Sequence, residues 1–576
     1  MIDKFLPHDD RRQQYFGIGM KNSIFIIVPL IVYVVISIKI ILNCQFVAED
    51  LPIIFFSQKN PLSFFTYWEY GLKELIPDPK LEVFRYRPLT SYIFYLTSEI
   101  AGLRPSLWAM VSHAVHLINY FILVQIFREI QKLFNKENKT FCYLIALFYL
   151  FYPGNVTNVA WVSGRIDLFV IFFCLMAFYY AIKYITGKKI IFLCLNIVSF
   201  YLATLTKENG VSYVVIELLM LYIIKLLISN KPDFFKIAIK IFFIKLSVLL
   251  IYFIQRKFVA GINDTSFLDN FNFVTYFVVF VKSLLFTILP IDSGSFIDFF
   301  YINPVASVVV YILFFACIGF VLIFCFSGMQ QKIVKVLLAG VTIALTTLIF
   351  YISFGGATYR LFALTFTSLI IFVFILLTYN RSLKKPFNKW NLVSIAGIVL
   401  WVFFFIGYLN IAEYWNANFK IHKESLNSLT KLYDPKKENL IITYPHSLGQ
   451  TYCFSDIGTY IYFEKNGTIG RYNNVTELAA INSYNEKDYN GGCIVEKNNA
   501  KLVVSSNNDN YLSPGAFFTQ KSFIGENYSN LKNYSMEVLK INEASKPVSV
   551  MLKPKHNSDT NSVQFIKFIN GKFERF

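Results

Sequence analysis

The stretch SIFIIVPLIVYVVISIKIILNCQFVAED, residues 23–50, decides the fold class. Its first part, residues 23–42, is an apolar run of about 20 residues, the length that an α-helix needs to cross a bilayer. Basic residues, among them Lys21, precede the run, and no small-residue cleavage site follows it. We therefore predict an uncleaved first span with a cytoplasmic N-terminus, which places Glu49 and Asp50 directly beyond the span on the opposite side.

Composition extends this prediction to the whole chain. Of the 576 residues, 55% are hydrophobic and 16% are charged, whereas a soluble globular protein carries about 25% charged residues. The net charge of +18 arises from Lys and Arg in short clusters between apolar runs. That pattern is typical of positive-inside topology and not of a basic face for nucleic acid. The sequence therefore excludes a soluble enzyme, a disordered protein and a small disulfide scaffold, and it predicts a membrane partner with no nucleic acid.

Ten further apolar runs follow the first one, which gives eleven predicted spans and an extracytoplasmic C-terminus. The basic clusters all fall on the cytoplasmic side if residues 89–101 and 271–289 form interfacial helices on the outer face. For residues 271–289 a re-entrant pair is the alternative. The ten runs centre on residues 106–127, 140–152, 166–184, 190–205, 211–229, 238–255, 303–326, 333–353, 359–379 and 391–411.

The character of the chain changes after about Glu413, where Asn, Lys, Ser and Tyr become common. Short runs with period-2 alternation, separated by turn residues, predict β-strands. The strands are predicted at residues 440–444, 502–505, 536–541, 548–552 and 563–569. Cys453 and Cys493 share this polar region and are a candidate disulfide pair if it is extracytoplasmic.

The predicted fold class is thus an all-α polytopic membrane protein of about 11–13 transmembrane helices with outer interfacial helices. A small β-rich extracytoplasmic domain follows at the C-terminus. We divide the chain into a transmembrane domain over residues 1–415 and a β-rich domain over residues 416–576, with residues 43–105 as the first extracytoplasmic loop.

The first candidate for chemistry is the acidic pair Glu49 and Asp50. These carboxylates could simply mark the end of a helix. Alternatively, one of them is held at the membrane surface, where partial desolvation raises the pKa of a carboxylate and makes it a usable base. Both interpretations are compatible with the spacing.

Several cations lie on the predicted outer face in short and otherwise apolar loops, although positive-inside sorting should deplete that face of positive charge. They are Arg85, Arg87, Arg165, Lys207, Arg256 and Arg360. One interpretation is local pairing, for example of Arg165 with Asp167 or of Lys207 with Glu208. The other is convergence on an anion at the outer membrane surface, for which Arg offers a planar fork and Lys a point charge.

His113 and His116 lie three residues apart on one predicted span. Two histidines alone make a poor metal site, so hydrogen bonds between packed helices are the favoured interpretation. The sequence has no glycine-rich phosphate loop, no CxxC pair and no HExxH motif. We therefore predict no cofactor; a divalent metal stays open as an alternative that the sequence does not indicate. The lack of a nucleotide-binding domain disfavours a primary pump or a nucleotide-sugar enzyme.

A series of strings in a fixed order carries a family resemblance over about residues 20–415. The strings are Glu49-Asp50, Tyr86-Arg87-Pro88-Leu89-Thr90, Gly102-Leu103-Arg104-Pro105, His116-Leu117-Ile118-Asn119, Trp161-Val162-Ser163-Gly164-Arg165-Ile166-Asp167-Leu168 and Thr206-Lys207-Glu208, with weaker matches at Arg256 and Tyr359-Arg360. Together they resemble the C-type glycosyltransferase superfamily, GT-C. Within it they are most similar to the protein O-mannosyltransferase and tetratricopeptide-bearing mannosyltransferase branches.

The chain also departs from the pattern of those branches. Tyr152-Pro153 stands where the family has His-Pro, Thr157 replaces an acidic residue, and Glu49 stands where Asp is commoner. A tetratricopeptide tail is replaced by the β-type region. These departures leave the fold prediction intact and leave the identity of the acceptor open.

The resemblance implies a lipid-linked sugar donor, such as a dolichyl- or undecaprenyl-phosphate monosaccharide. It implies transfer with inversion to an extracytoplasmic glycan, lipid or protein. In these terms Asp50, helped or replaced by Glu49, takes the proton from the acceptor hydroxyl. The resemblance further implies that the donor phosphate is bound by Arg165, Lys207, Arg256 and Arg360, and the substrate by Arg85, Arg87, Asp167 and Glu208.

Three alternatives stay open beside this hypothesis. One is an oligosaccharide polymerase or ligase that uses a diphosphate-linked donor. The second is a lipid or polysaccharide transporter, although the internal repeats and broken midplane helices typical of transporters are not evident in the sequence. The third is a non-catalytic scaffold. The Ile, Phe, Lys and Asn bias favours a multi-pass protein of a bacterial inner membrane, with the active site on the extracytoplasmic side.

Overall fold

The structure is a computed structural model in which a helical bundle precedes a β-rich C-terminal region. In the bundle it describes residues 9–47, 50–59, 86–228, 233–260, 304–326, 332–352, 362–382 and 387–432, together with residues 283–284 and 287–288. In the C-terminal region it describes residues 437–443 and the strands given below.

Fourteen α-helices are defined within the described residues, and a short 3₁₀ segment, Glu208–Ser212, precedes α9. The helices are α1 Asp9–Asn43, α2 Asp50–Lys59, α3 Pro88–Ala101, α4 Pro105–Leu133, α5 Lys139–Leu150, α6 Pro153–Ala160, α7 Arg165–Gly187, α8 Ile190–Thr206, α9 Tyr213–Leu227, α10 Asp233–Ala260, α11 Pro304–Phe326, α12 Ile333–Ile352, α13 Ala363–Ser382 and α14 Phe387–Leu432.

Local sequence sets several helix boundaries. Pro88, Pro105 and Pro153 occupy the first turn of α3, α4 and α6, where a missing N–H costs nothing and the fixed φ suits a helix. Asn138 caps α5, and its side-chain oxygen accepts a hydrogen bond from the Phe141 amide.

Each of the eleven predicted apolar runs contains a helix, which confirms the all-α polytopic prediction. Within the described residues, seven helices are long and apolar enough to cross a membrane, or eight if α5 and α6, bent by 64° at their junction, count as one span. α8 and parts of α11 and α12 are apolar but shorter. The predicted interfacial segment 89–101 is the helix α3, whereas most of 271–289 lies outside the described residues.

Aromatic stacking and buried amide groups hold the bundle together. Phe127 of α4 stacks on Phe374 of α13 with ring centroids 3.9 Å apart, and Tyr152 stacks on Phe366 at 4.0 Å. Asn119 donates to the backbone carbonyl of Leu168 at 2.9 Å, joining α4 to α7. Such bonds matter in an apolar interior, because a buried polar group without a partner is costly.

The two histidines of α4 make helix-packing hydrogen bonds, as the sequence favoured. His113 Nδ1 lies 2.9 Å from the Tyr33 hydroxyl, which ties α4 to α1. His116 contacts the Tyr149 hydroxyl at 3.2 Å and the Leu150 carbonyl at 3.1 Å. Both histidines are buried and are engaged by neighbouring helices.

Twelve strands follow α14 within the described residues, and all five β-runs predicted from the sequence are among them. The strands are β1 Glu438–Thr443, β2 Tyr462–Lys465, β3 Thr468–Arg471, β4 Val475–Ile481, β5 Cys493–Asn498, β6 Lys501–Ser506, β7 Tyr511–Ser513, β8 Asn527–Tyr528, β9 Tyr534–Ile541, β10 Pro547–Pro554, β11 Val563–Ile569 and β12 Lys572–Arg575.

The strands form two five-stranded sheets and a hairpin. One sheet has the order β12-β11-β1-β4-β7, with β1 parallel to both β11 and β4. The other has the order β5-β6-β10-β9-β8 and is antiparallel. In that sheet Val538, Val550 and Val504 are fully buried, consistent with period-2 alternation.

The helix α14 continues to Leu432, and the first strand begins only at Glu438. Residues 416–432 are therefore helical, although the sequence division assigned them to the β-rich domain. The division of the chain at residue 415 stays a prediction.

A candidate active site at one end of the bundle

Four chain segments meet at the end of the bundle that the sequence places on the outer face. They lie after α1, before α3, between α6 and α7, and between α8 and α9. α1 and α8 end there, whereas α3, α7 and α9 start there. The segments comprise residues 44–50, 86–90, 161–167 and 206–208.

Asp50 begins α2 and is held by backbone and side-chain donors. One carboxylate oxygen accepts from the Val47 amide at 3.0 Å. The other accepts from the Ser163 amide at 2.9 Å and from the Ser163 hydroxyl at 2.6 Å. The side chain is fully buried. Hydrogen bonds from these donors fix the direction in which the carboxylate points.

Ser163 reaches Asp50 because α6 and α7 meet in a tight junction at Gly164. A Cβ added to Gly164 lies 2.9 Å from the Thr157 carbonyl oxygen and 3.2 Å from the Asn158 Cα. Only a residue without a side chain fits so close to the backbone of α6. In the string Trp161-Val162-Ser163-Gly164-Arg165, Gly164 is therefore required by packing, and Ser163 provides the hydrogen bonds to Asp50.

Arg165 lies inside the bundle and not on its surface. Its guanidinium donates to the backbone carbonyls of Val162 and Trp108, each at 2.9 Å. Its Cζ lies 4.5 Å from the Trp108 ring centroid and 5.6 Å from that of Phe94. The side chain is fully buried, and its bond to the Trp108 carbonyl fixes the start of α7 against α4.

Lys207 and Asp167 form an ion pair across two helix ends. The Lys207 ammonium nitrogen donates to an Asp167 carboxylate oxygen at 2.5 Å. The side chains are 11% and 6% exposed. This pair joins the end of α8 to the first turn of α7 and lies close to the Asp50–Ser163 contact along the chain.

Arg87 and Glu208 form the second pair. The Arg87 Nε and Nη2 atoms reach Glu208 Oε2 at 3.0 and 2.7 Å, and Nε also lies 3.1 Å from Oε1. Thr90 reinforces the junction, since its hydroxyl donates to the Thr206 carbonyl at 2.7 Å. The segment before α3 is therefore fastened to the segment between α8 and α9.

These pairs correct the local pairing that the sequence offered as an alternative. Arg165 and Asp167 are two residues apart on α7, a spacing at which helical side chains do not face each other. Lys207 has extended backbone with φ −160° and ψ 148°, so the next side chain, Glu208, leaves on the opposite side. Both carboxylates are consequently engaged by cations from distant segments.

Arg256, near the end of α10, belongs to the same neighbourhood. The Tyr252 hydroxyl lies within electrostatic range of Glu208, Arg256 and Arg87. The Tyr252 ring packs against Tyr86, with centroids 5.8 Å apart. Burial raises the pKa of Tyr86, which keeps its hydroxyl protonated at neutral pH.

Cys44 lies in the loop that leads from α1 to Asp50 and contacts the end of α6. Its thiol donates to the Ala160 carbonyl at the end of α6, at 3.6 Å. Burial, and after it the nearby Asp50 carboxylate, raises the pKa of the Cys44 thiol, while Arg165 lowers it. The three residues therefore lie close to one another.

The structure thus brings together Asp50, Arg87, Arg165, Asp167, Lys207 and Glu208, with Arg256 beside them. Glu49, Arg85, Arg360 and Cys453 lie outside the described residues, and of Cys493 the structure gives only its place on β5. The roles of these residues stay predictions.

Sequence reasoning did not single out Ser163 as a site residue. It stands in the quoted string between Trp161 and Arg165, and a hydroxyl two residues before a conspicuous cation was the available signal. Within the described parts of the chain, no group of three or more His, Cys, Asp or Glu side chains is placed to hold a metal ion.

The chemical capacity of this arrangement follows from its charges. A carboxylate with fixed orientation can accept a proton, and two cations, each paired with a carboxylate, lie at the same end of the bundle. Lys207 and Arg87 are nearly buried, so their charge is screened less than it is at an open surface.

Comparison with known proteins gives structural neighbours and no sequence match. No protein-family model and no curated protein sequence matches the chain. ArnT from Cupriavidus metallidurans in its apo state is similar over 73% of this chain and 82% of its own, at 10% identity and a TM-score of 0.39.

The oligosaccharyltransferase of Archaeoglobus fulgidus is a second neighbour. Its complex with zinc and sulfate is similar over 72% of this chain and 60% of its own, at 13% identity and a TM-score of 0.39. Its complex with an inhibitory peptide and a dolichol-phosphate, in which the enzyme is called AglB, is similar over 73% of this chain and 62% of its own, at 12% identity and a TM-score of 0.37. This chain thus spans less than two thirds of the archaeal enzyme's length.

At TM-scores below 0.5, we base the function on the contacts of this chain alone.

Proposed function

We propose that this protein is an integral-membrane glycosyltransferase that moves a sugar from a polyprenyl-phosphate-linked donor to an acceptor on the extracytoplasmic side, with inversion. The observation that carries the proposal is the buried carboxylate of Asp50, oriented by Ser163, at the same end of the bundle as the Lys207–Asp167 and Arg87–Glu208 pairs. A base and cations at one end of a membrane bundle suit a reaction between an acceptor hydroxyl and a lipid phosphate ester.

Asp50 acts as the general base. The acceptor oxygen forms a bond to the anomeric carbon as its proton passes to the Asp50 carboxylate. The bond between the anomeric carbon and the phosphate oxygen breaks, and that oxygen leaves with the electron pair. The donors Val47 and Ser163 hold the base in place, so that little reorganisation is needed during the step.

The cations stabilise the departing lipid phosphate. This group gains negative charge as the sugar leaves, so preorganised cations favour the transition state over the ground state. Lys207 and Arg87 supply this charge when the phosphate replaces a carboxylate partner. Arg256 and Arg360 are assigned to the phosphate as well. For Arg165 the resemblance implied phosphate binding; because its guanidinium donates to the Trp108 carbonyl, we assign it instead to holding α7 in place.

The acceptor and the sugar are defined here by chemical class only. The acceptor carries a free hydroxyl on a glycan, lipid or protein, and the sugar is a hexose or pentose. A lipid donor in the outer leaflet meets the site at the membrane surface, where α3 is assigned as an interfacial helix that sets its depth. Asp167 and Glu208 are assigned to hold substrate hydroxyls once their cations bind phosphate.

The test is deletion of the gene followed by mass spectrometry of the cell-envelope glycans and of the polyprenyl lipids. We expect one glycan, lipid or protein to lose a single hexose or pentose while the matching polyprenyl-phosphate sugar accumulates. Re-expression of the wild-type chain restores both. Unchanged glycans and lipids in cells that normally express the protein would contradict the proposal.

A further inference from the structure

The last membrane helix, α14, is far longer than a membrane requires. Its 46 residues extend about 69 Å at about 1.5 Å per residue, more than twice the roughly 30 Å of a hydrocarbon core. α14 runs from the cytoplasmic side outward by the sequence topology, so its last 21 residues, nearly six turns, extend beyond the membrane. We call residues 412–432 the outer segment of α14.

The outer segment runs beside the end of α1 and the loop that leads to Asp50. Lys39 on α1 forms an ion pair with Glu413. Asn43, the last residue of α1, donates to the Asn416 side-chain oxygen at 3.1 Å. The contacts advance along both segments in the same direction, so the outer segment continues to accompany the chain after α1 ends.

One face of the outer segment is fully packed. Trp415, Phe419 and His422 follow the i, i+4, i+7 spacing of a single helical face and are all buried. His422 lies against the backbone of Phe46, inside the loop that leads to Asp50. Trp415 packs on Phe419, with ring centroids 5.3 Å apart.

The same face also reaches α6. The Trp415 indole N–H donates to the Thr157 hydroxyl at 3.2 Å. α6 ends at Ala160, whose carbonyl accepts from the Cys44 thiol, and the Ser163 turn follows directly. The outer segment therefore touches the loop that precedes Asp50 on one side and the helix that precedes Ser163 on the other.

We propose that the outer segment of α14 is a positioning element that holds the loop of residues 44–50 against α6, with Trp415 and His422 as its positioning residues. The two residues touch neither donor nor acceptor. They act through the loop and α6 by keeping Asp50 within reach of Ser163. The expected effect on catalysis rests on the proposed function, whereas the expected effect on the loop is independent of that function.

α14 also packs against β12 of the C-terminal region.

Cys44 is a native reporter for the test. Its thiol is buried between the loop and α6, and its raised pKa makes it slow to react with thiol reagents. Cells that express the full chain are treated with a membrane-impermeant maleimide, and labelling of Cys44 is measured by peptide mass spectrometry. We compare Trp415→Ala and His422→Ala with the wild type.

We expect both variants to label Cys44 about tenfold faster, because loss of one buried contact favours local opening of the loop by about that factor. Tyr414→Ala is the matched control, since Tyr414 is an exposed aromatic on the same helix; it should label like the wild type. His422→Gln keeps a donor and should stay close to the wild-type rate, which guards against a fold defect in His422→Ala. Wild-type labelling in both alanine variants would overturn the inference.

The catalytic part is tested on the same variants with the transfer assay that the deletion experiment provides. We expect kcat to fall by up to about 100-fold while KM for the donor stays unchanged, since no substrate contact is lost. Faster labelling of Cys44 with an unchanged kcat would refute the positioning role and leave the proposed function intact. Labelling needs no sugar transfer, so that arm decides whether the segment holds the loop even if the chain transfers no sugar.

Discussion

Two groups of ion pairs lie at different depths of the bundle. Lys245 of α10 and Glu217 of α9 form one pair, with the ammonium nitrogen 2.7 Å from each carboxylate oxygen. By helical rise, Lys245 lies about 16 Å from the level of Arg256, near the middle of a roughly 30 Å core. The Lys207–Asp167 and Arg87–Glu208 pairs lie instead at the outer helix ends.

The Lys245–Glu217 pair, called the deep pair below, is closed to solvent. Its side chains are only 1% and 3% exposed, Asn196 of α8 approaches both carboxylate oxygens at 3.3 Å, and the ammonium lies 4.8 Å from the Phe200 ring centroid. The Asn196 side chain donates in addition to the Ala177 carbonyl of α7 at 2.7 Å. One cluster thus joins four helices, α7 to α10.

The outer pairs are more open and lie beside the Asp50 carboxylate. Glu208 is 19% exposed, and each pair joins segments that also surround the candidate base. We assign the Lys245–Glu217 pair to holding the helices together in an apolar medium. Under the proposed function, the Lys207–Asp167 and Arg87–Glu208 pairs supply cations to an anionic substrate. The role of a charged residue in a membrane protein can thus be inferred only when its depth in the bundle is known as well.

The largest loss of stability is expected for Glu217→Ala. Removal of one partner leaves the Lys245 charge buried without compensation, which costs about 3–5 kcal/mol. Thermal unfolding in detergent should show little or no folded protein. The double variant Glu217→Leu with Lys245→Met removes both charges and should recover most of the stability; if the single variant melts like the wild type, the deep pair is not structural.

The next effect is expected for Gly164→Ala at the junction of α6 and α7. The added Cβ lies 2.9 Å from the Thr157 carbonyl oxygen, and such overpacking costs about 1–3 kcal/mol. Displacement of Ser163 should also reduce the transfer rate up to about 100-fold. Gly187→Ala at the other end of α7 is the control, because an added Cβ meets nothing within 4 Å there. Equal melting temperatures and rates for both variants would refute the tight junction.

Lys207→Met should separate stability from activity. The Lys207–Asp167 pair lies near the bundle end, so we expect a stability loss of only about 1–2 kcal/mol. Transfer should fall about 100-fold or more, because a cation for the departing phosphate is lost. The exposed Lys189→Met serves as control and should change neither quantity. If Lys207→Met keeps full activity, Lys207 does not bind the donor phosphate.

The smallest effect is expected for Lys39→Gln. Its ion pair with Glu413 is exposed, at 52% and 66% of the side chains, and exposed pairs contribute about 0–1 kcal/mol. The melting temperature should differ little from that of the wild type, and the difference should shrink further at high salt. A loss as large as that of Glu217→Ala would show that exposure does not separate the two kinds of pair.

Much of the fold could be predicted from the sequence. The length of the apolar runs predicted a helix in every case, because an α-helix is the economical way to satisfy a backbone in hydrocarbon. The β-runs were predicted by alternation. The extent of α14 was not, since its outer segment is polar and a hydropathy pattern ends at the membrane surface.

The site was predicted less completely. Asp50 and the cations stood out because charge is unexpected on the outer face. Their pairing did not follow from the sequence, because contacts such as Arg87 with Glu208, 121 residues apart, depend on how the helices pack. The Glu217–Lys245 pair was missed for the same reason: each residue is a single charge in an apolar run, and only the packing of α9 against α10 brings them together.

The most direct measurement of the central claim is sugar transfer by Asp50→Asn in cells deleted for the gene. The variant keeps the size of the side chain and removes the base. Asp233→Asn, the same change at an exposed position in the first turn of α10, is the control. We predict that Asp233→Asn restores the missing sugar and that Asp50→Asn does not, at equal amounts of both proteins in the membrane. Full restoration by Asp50→Asn would contradict the assignment of Asp50 as the base.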